Sequence, residues 1–261
     1  MEIILHFGAH RCATTSFQEY MRRNAPALAK QGVAFWGPET TRETDLRSLK
    51  SLTDDSHATL HRELDRLQQQ GFQRLLVSEE NFLGTMRQNL NKGELYPEAD
   101  LRARLVADVF DGRISKVALN VRALNTYWSS VVSYAVRNKK DFAENVRWAK
   151  IAKHHRSWRD VITDLAAAFP NTQLSVLPFE EFAGHPDAQL AKLLGSDVPH
   201  QAADLWLGKD IDEEPQVSNS AQEVRLMTKF ADDLTWLASG ADGLAQLCLL
   251  QETMRGETKH A

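Results

Sequence analysis

At 261 residues, with 43% hydrophobic and 25% charged side chains, the chain is globular and long enough to bury one sizeable core. A formal net charge of −4 excludes a nucleic-acid binder working through a broad basic face, and two cysteines, Cys12 and Cys248, exclude a disulfide framework. With no apolar run long enough for a signal peptide or a membrane span, a soluble, cytoplasmic protein is expected.

Met1–Phe7 predicts a buried strand, Gly8–Ala13 a small-residue turn, and Thr14–Asn24 the start of a helix that runs to about Lys30. A strand that passes through such a turn into a helix aims free backbone N–H groups at one point. Thr14, Thr15 and Ser16 add hydroxyl donors, and Arg11 adds a fixed charge with a fork of donors, which suits a phosphate or sulfate group. An ordinary turn with a Thr N-cap is the competing reading. Three anion loops are excluded. A Walker A loop needs Gly and Lys where Ala13 and Thr14 stand, and a dinucleotide fingerprint needs glycines beyond Gly8. The cysteine-phosphatase loop, built on Cys12, needs an arginine where Gln18 stands.

Val33–Trp36 is a short strand ended by Gly37-Pro38, and 43–70 is helical in pattern with Leu60, Leu64 and Leu67 on one face. His57 and His61 form a metal-like pair there, but no third ligand stands nearby, so a solvated helix face is expected. Arg74–Ser78 is the next strand, followed at its carboxyl end by Glu79 and Glu80. Gly84–Asp100 reads as a mobile lid or an irregular loop. Leu101–Phe110 is helical, Lys116–Val121 is a strand ended by Arg122, and Leu124–Arg137 is an amphipathic helix with Ser130 on its polar stripe. A helix over 153–169, a strand Gln173–Leu177, an irregular stretch 196–219 with a solvated acidic run, and helices at roughly 221–238 and 243–255 complete the chain. Alternation of strands and helices, with no repeat or linker, predicts one α/β domain over 1–261: a mostly parallel central sheet flanked by helices on both faces. Ligands bind outside the carboxyl ends of such strands, where Arg11, Glu79/Glu80 and Arg122 would share one rim.

Gly8-Ala9-His10-Arg11-Cys12-Ala13-Thr14-Thr15 resembles the 5′-phosphosulfate loop of sulfotransferases, G-x-x-[KR]-[ST]-G-T-[TS]. It departs at Cys12 and at Ala13, where glycine permits positive φ; a negative φ at Ala13 makes the change harmless, a positive one weakens binding. The family holds the donor's 3′-phosphate with an Arg at a strand end and a Ser on the next helix, and Arg122 and Ser130 stand at that spacing. Leu76–Phe82 resembles the I-S-S-E-N-L segment of bacterial members, Leu174–Phe182 their strand and Phe/Tyr-Glu-Asp/Glu turn, and Val217–Ser220 their Asn-x-Ser approach to the C-terminal helix. The late Arg-Lys-Gly loop of cytosolic animal enzymes is missing, which leaves the closure of the adenosine end open.

The resemblance implies a sulfotransferase, P-loop-like fold and 3′-phosphoadenosine 5′-phosphosulfate (PAPS) as donor, with no metal. The reaction implied is sulfuryl transfer to a hydroxyl or amine of a small-molecule, glycan or lipid acceptor. Arg11, Cys12, Ala13, Thr14, Thr15, Ser16, Arg122 and Ser130 would hold the donor. Arg11 would act through charge alone, and Glu80 is the first choice of base, ahead of Glu79 and His10. Phe35, Trp36, Phe82 and Tyr96 are candidates for an aromatic wall around a sugar acceptor. Two rivals stand beside this: a P-loop kinase relative, which needs a loop lysine that is absent, and a nucleotide binder that catalyses nothing.

Overall fold

Strand β1 (Glu2–Gly8) is buried at every position after Glu2, and it lies in the middle of the sheet. Helix α1 (Thr14–Lys30) follows directly, then strand β2 (Val33–Trp36) and a short helix α2 (Pro38–Glu43). A 3-10 turn at Leu46–Ser51 leads to α3 (Asp54–Gln69), and β3 (Arg74–Ser78) returns to pair with β1. Helices α4 (Met86–Lys92) and α5 (Ala99–Val109), β4 (Ile114–Val121), α6 (Leu124–Arg137), α7 (Trp148–Lys153) and α8 (Trp158–Ala168) come next. Strand β5 (Gln173–Pro178), helices α9 (Phe179–Phe182), α10 (Pro186–Leu194) and α11 (Ser220–Ala238), and β6 (Gln246–Leu247) complete the order. This is a computed structural model, and it describes residues 1–51, 53–141, 146–195 and 220–250.

The strand order is β2-β3-β1-β4-β5-β6, and every pairing is parallel. The chain moves from β1 toward β2 and β3 on one side, then crosses to β4 on the other. That reversal between β1 and β4 is the point where open α/β sheets leave a crevice for ligands. Because successive side chains of a strand point to opposite faces, β1 serves two cores. Ile3, Leu5 and Phe7 pack into the larger one, among α3, α5, α6, α8 and α11, whereas Ile4 joins the smaller one under α1 and α10.

Several elements differ from the sequence expectation, among them the helical span 43–70, which is the 3-10 turn Leu46–Ser51 followed by α3, and α10, which is absent from the expected elements. Gly84–Asp100 is no lid: α4 starts on a Thr85/Gln88 capping box, and Leu90, Leu95, Tyr96 and Ala99 are buried. The helix expected over 153–169 is α8, which starts only at Trp158 because Ser157 and Asp160 form a second capping box; the separate short helix α7 ends at Lys153. The helix expected over 243–255 begins instead as a 3-10 turn at Ala241–Gly243 followed by β6, which pairs with β5 through Ser175 and Val176. Residues 196–219, with the acidic run and Val217–Asn219, lie outside the described residues, as do 251–255.

His61 meets Arg113 rather than a metal-like partner, with Nη2 of Arg113 2.9 Å from its Nδ1. Among the described residues no helix is long and apolar enough to cross a membrane.

Candidate functional site

The loop between β1 and α1 is shaped by contacts from all sides. A Cβ at Gly8 would lie 2.5 Å from the Thr14 methyl and 2.8 Å from the His6 ring, so only glycine fits there. Arg11 (φ 63°) and Ala13 (φ 59°) both sit in the left-handed region, at a cost of about 1–3 kcal/mol each for a residue with a Cβ. Four hydrogen bonds hold them there. Thr14 Oγ1 donates to Ala9 O at 3.0 Å and the Cys12 N–H to the same oxygen at 3.2 Å. Arg122 Nη1 donates to Arg11 O at 2.9 Å, and the His10 N–H donates to the Tyr96 hydroxyl at 2.9 Å. The positive φ at Ala13 is the unfavourable one of the two cases that the sequence left open.

Helix α1 therefore begins abruptly at Thr14, with no side-chain cap and no acidic residue in its first turn. Its first internal bond runs from Phe17 N–H to Ala13 O, so the Thr14, Thr15 and Ser16 amides lie in the turn whose donors have no helical acceptor. The Thr14 hydroxyl is spent on Ala9 O, which leaves Thr15 and Ser16 as the hydroxyl donors of that turn. Cys12 points into the core at 1% exposure, and burial pushes its thiol far above the ordinary range. Cys12 is not among the residues that line the recess in front of the helix end.

A recess of about 130 Å³ opens in front of this helix end, lined by His10, Arg11, Ala13, Thr14, Thr15, Glu80, Met86 and Tyr134. Arg11 reaches from the loop to α6, donating Nε to Ser130 Oγ at 2.9 Å, with its guanidinium 5.4 Å from the Tyr134 ring centre. Arg122 is buried at 7% exposure, with Nε on Thr126 Oγ1 at 3.1 Å and its guanidinium stacked 4.2 Å from the Phe179 ring centre. Sequence spacing pairs Ser130 with Arg122; the structure couples Ser130 to Arg11 and ties Arg122 to the loop through the Arg11 carbonyl. The three form one cluster all the same.

The two adjacent glutamates part company. Glu79 is fully buried, its Oε1 accepting from the Asn81 N–H at 3.0 Å and from Asn81 Nδ2 at 2.6 Å, its Oε2 from Thr41 Oγ1 at 2.6 Å. It caps the 3-10 turn Glu80–Phe82, and Arg102 clamps that turn by donating to the carbonyls of Phe82 and Asn81 at 3.1 and 2.6 Å. Glu80 lines the recess and accepts from Gln18 Nε2 at 3.1 Å. His10, 8% exposed, lies with Nδ1 3.1 Å from the Tyr96 hydroxyl.

Behind Glu80 runs a buried polar chain that sequence reasoning missed. Gln18 Nε2 also donates to Ser78 Oγ at 3.2 Å; Ser78 Oγ lies 2.8 Å from His6 Nδ1; His6 Nε2 lies 2.5 Å from Asn120 Oδ1. Gln189 Nε2 closes the far end, 3.2 Å from Asn120 Oδ1 and 2.9 Å from His6 Nε2. Burial lowers His6 to about 4, so the ring is neutral near pH 7. In either neutral tautomer Ser78 Oγ keeps a lone pair for Gln18. The legible signal was a polar residue inside an otherwise apolar strand, His6 in one and Asn120 in another.

Of the four aromatic candidates, Trp36, Phe82 and Tyr96 belong to the core, whereas Phe35 is half-buried and lines a larger cleft of about 380 Å³ beside α1. Tyr96 instead supports the loop from below at a positive φ of 43°, held by Arg156, whose Nε and Nη2 donate to Leu95 O and Tyr96 O.

No family model matches the chain, and no curated protein matches it by sequence. The crystal structure of a sulfotransferase from Alicyclobacillus acidocaldarius matches with a TM-score of 0.51 and 16% identity, over 93% of this chain and 96% of that one. At that identity the likeness is one of fold: the all-parallel, helix-covered sheet is a sulfotransferase-like α/β architecture.

Proposed function

We propose that the protein is a cytoplasmic sulfotransferase that uses PAPS as donor and delivers the sulfuryl group to a hydroxyl or amine. The observation that carries this reading is the meeting of Arg11, Arg122 and Ser130 at the uncapped end of α1, with one carboxylate, Glu80, lining the same recess as Arg11. When bound, the donor would supply an activated sulfuryl group whose S–O bond to phosphate breaks as the acceptor oxygen attacks sulfur. The chain's own groups would do the rest. The amides of Thr14, Thr15 and Ser16, with the Thr15 and Ser16 hydroxyls, meet charge on the transferred and leaving oxygens. Arg11 adds fixed charge there, and Arg122 with Ser130 serves the 3′-phosphate.

Glu80 is the proposed base, since Glu79 has both oxygens committed to Thr41 and Asn81 and His10 is held against Tyr96. Among the described residues no group of three metal-ligating side chains gathers. A silent nucleotide binder is the second reading, favoured by the left-handed alanine at 13.

Thermal shift with 3′,5′-adenosine bisphosphate, AMP, and ATP with Mg²⁺ tests the reading. The bisphosphate should stabilise the protein without metal, by roughly 2.7 kcal/mol at a hundred times its Kd, and clearly more than AMP. An equal response to AMP removes the 3′-phosphate role, and a response to ATP only with Mg²⁺ points to phosphoryl transfer. Tight bisphosphate binding without transfer to any acceptor selects the silent reading.

A further inference from the structure

The larger cleft, about 380 Å³, lies between α1 and the β2–α2 segment and falls within the size of small-molecule sites. It adjoins the recess at two points. Thr15 lines both cavities, and Gln18, on the cleft wall, donates to Glu80 on the recess wall at 3.1 Å. A molecule seated in the cleft would lie against Gln18, the side chain that holds Glu80.

Its lining states the chemistry it accepts. Glu19 and Glu39 face Arg22 and Arg42, so the formal charge of the wall sums to zero. Glu19 is already engaged, accepting from Arg22 Nη2 at 2.7 Å and Arg23 Nε at 2.6 Å. One aromatic face is present, the half-buried Phe35 ring. A Cβ at Gly37 would meet that ring at 3.1 Å, so the glycine lets the backbone pass close beside it.

An apolar guest would strip water from four charged groups without replacing their hydrogen bonds. An anionic guest would gain Arg42 but meet two carboxylates. A neutral molecule with several hydroxyls suits the wall, since each hydroxyl both donates and accepts and its C–H face covers an aromatic ring. We propose that this cleft is the acceptor site and that its occupant is an uncharged polyhydroxyl compound of the sugar type. The assignment of the cleft as an acceptor site rests on the transferase reading above.

The test uses binding rather than turnover, so that the two readings fail separately. The ¹⁵N-labelled full chain, with 3′,5′-adenosine bisphosphate present or absent, is titrated with methyl β-glucoside, sodium glucuronate and p-cresol. The glucoside should move the amides of α1 and of β2–α2 around Gln18, Phe35 and Arg42. It should bind more tightly than either comparison compound. Phe35→Ala and the exposed Arg42→Ala should each weaken it by about threefold to tenfold without changing bisphosphate affinity. Tighter binding of p-cresol or glucuronate, shifts confined elsewhere, or full glucoside affinity in a folded Arg42→Ala overturns the assignment. Glucoside binding in the cleft alongside no bisphosphate binding overturns the donor reading and leaves a polyol site.

Discussion

The Arg122 guanidinium donates from Nη1 to the backbone carbonyl of Arg11 at 2.9 Å, joining the end of β4 to the loop after β1. The same arginine stacks on Phe179 beyond β5, so one side chain links three strand ends. This makes Arg122 a support of the loop, and the proposed donor reading also assigns it the 3′-phosphate.

Arg122→Ala should therefore weaken 3′,5′-adenosine bisphosphate by about 10- to 100-fold, the worth of a lost charged hydrogen bond, and AMP by much less. Calorimetric titration of both nucleotides decides it. Equal losses for the two would reduce Arg122 to a loop support. Arg122→Lys should fall between, because it keeps the charge but loses the fork.

Ala13→Gly should raise folding stability by about 1 kcal/mol, since glycine adopts φ 59° without Cβ strain. Bisphosphate affinity should hold or improve. Gly8→Ala is the opposite case: with Thr14 2.5 Å from the new Cβ, it should cost on the order of 3 kcal/mol. Urea denaturation of the pair checks both signs, and a destabilised Ala13→Gly would rule out a strained left-handed Ala13.

Glu80→Gln keeps size and removes the basic lone pair, so transfer to an acceptor should drop by about 10²–10⁴-fold with bisphosphate binding nearly unchanged. Glu79→Gln should behave differently. Its carboxylate accepts three hydrogen bonds in a fully buried place, so the loss should appear as about 1–3 kcal/mol of stability. Single-turnover rates and denaturation curves for both variants are needed. Full activity in Glu80→Gln would move the base to His10 or Glu79.

His6 gives a pH signature. Its folded value, about 4, lies below the unfolded 6.5, so the unfolded chain binds more protons between those limits. Stability from this residue is whole above pH 6.5 and is lost as pH falls toward 4, about 2 kcal/mol of it by pH 5. Asp233 acts in the other direction: burial raises it from 3.8 to about 6, so its contribution falls as pH rises through that window. Comparing His6→Gln with the parent cancels Asp233. The parent should lose stability relative to the variant between pH 7 and pH 5, and parallel curves would place His6 in contact with water.

Much of the scaffold was legible because it is written in local pattern. Arg74–Ser78 and Val33–Trp36 are apolar runs closed by polar or glycine punctuation, and their observed limits are the expected ones. Helix α4 was missed because seven residues are too few to show a 3.6-residue period, although its Thr85/Gln88 box was in plain view. Strand β6 carries no signal of its own; two residues become a strand only by pairing with β5.

By itself, the sequence determined the parallel sheet, the strand–turn–helix that opens it, and the set of charged residues gathered at its carboxyl rim, since periodicity and turn chemistry act over a few residues. Tertiary structure alone decided how those residues are used. Glu79 and Glu80 are neighbours with the same chemistry, and Thr41, Asn81 and Arg102 decide which carboxylate is consumed as an anchor. Ser130 accepts its hydrogen bond from Arg11, and Gln18 reaches Glu80, through distances that no spacing rule encodes. Ala13 is held left-handed because the bonds from Arg122 to Arg11 O and from the His10 N–H to Tyr96 oppose its Cβ preference. Contacts between residues far apart in the chain set these choices, so they exist only once the sheet has closed.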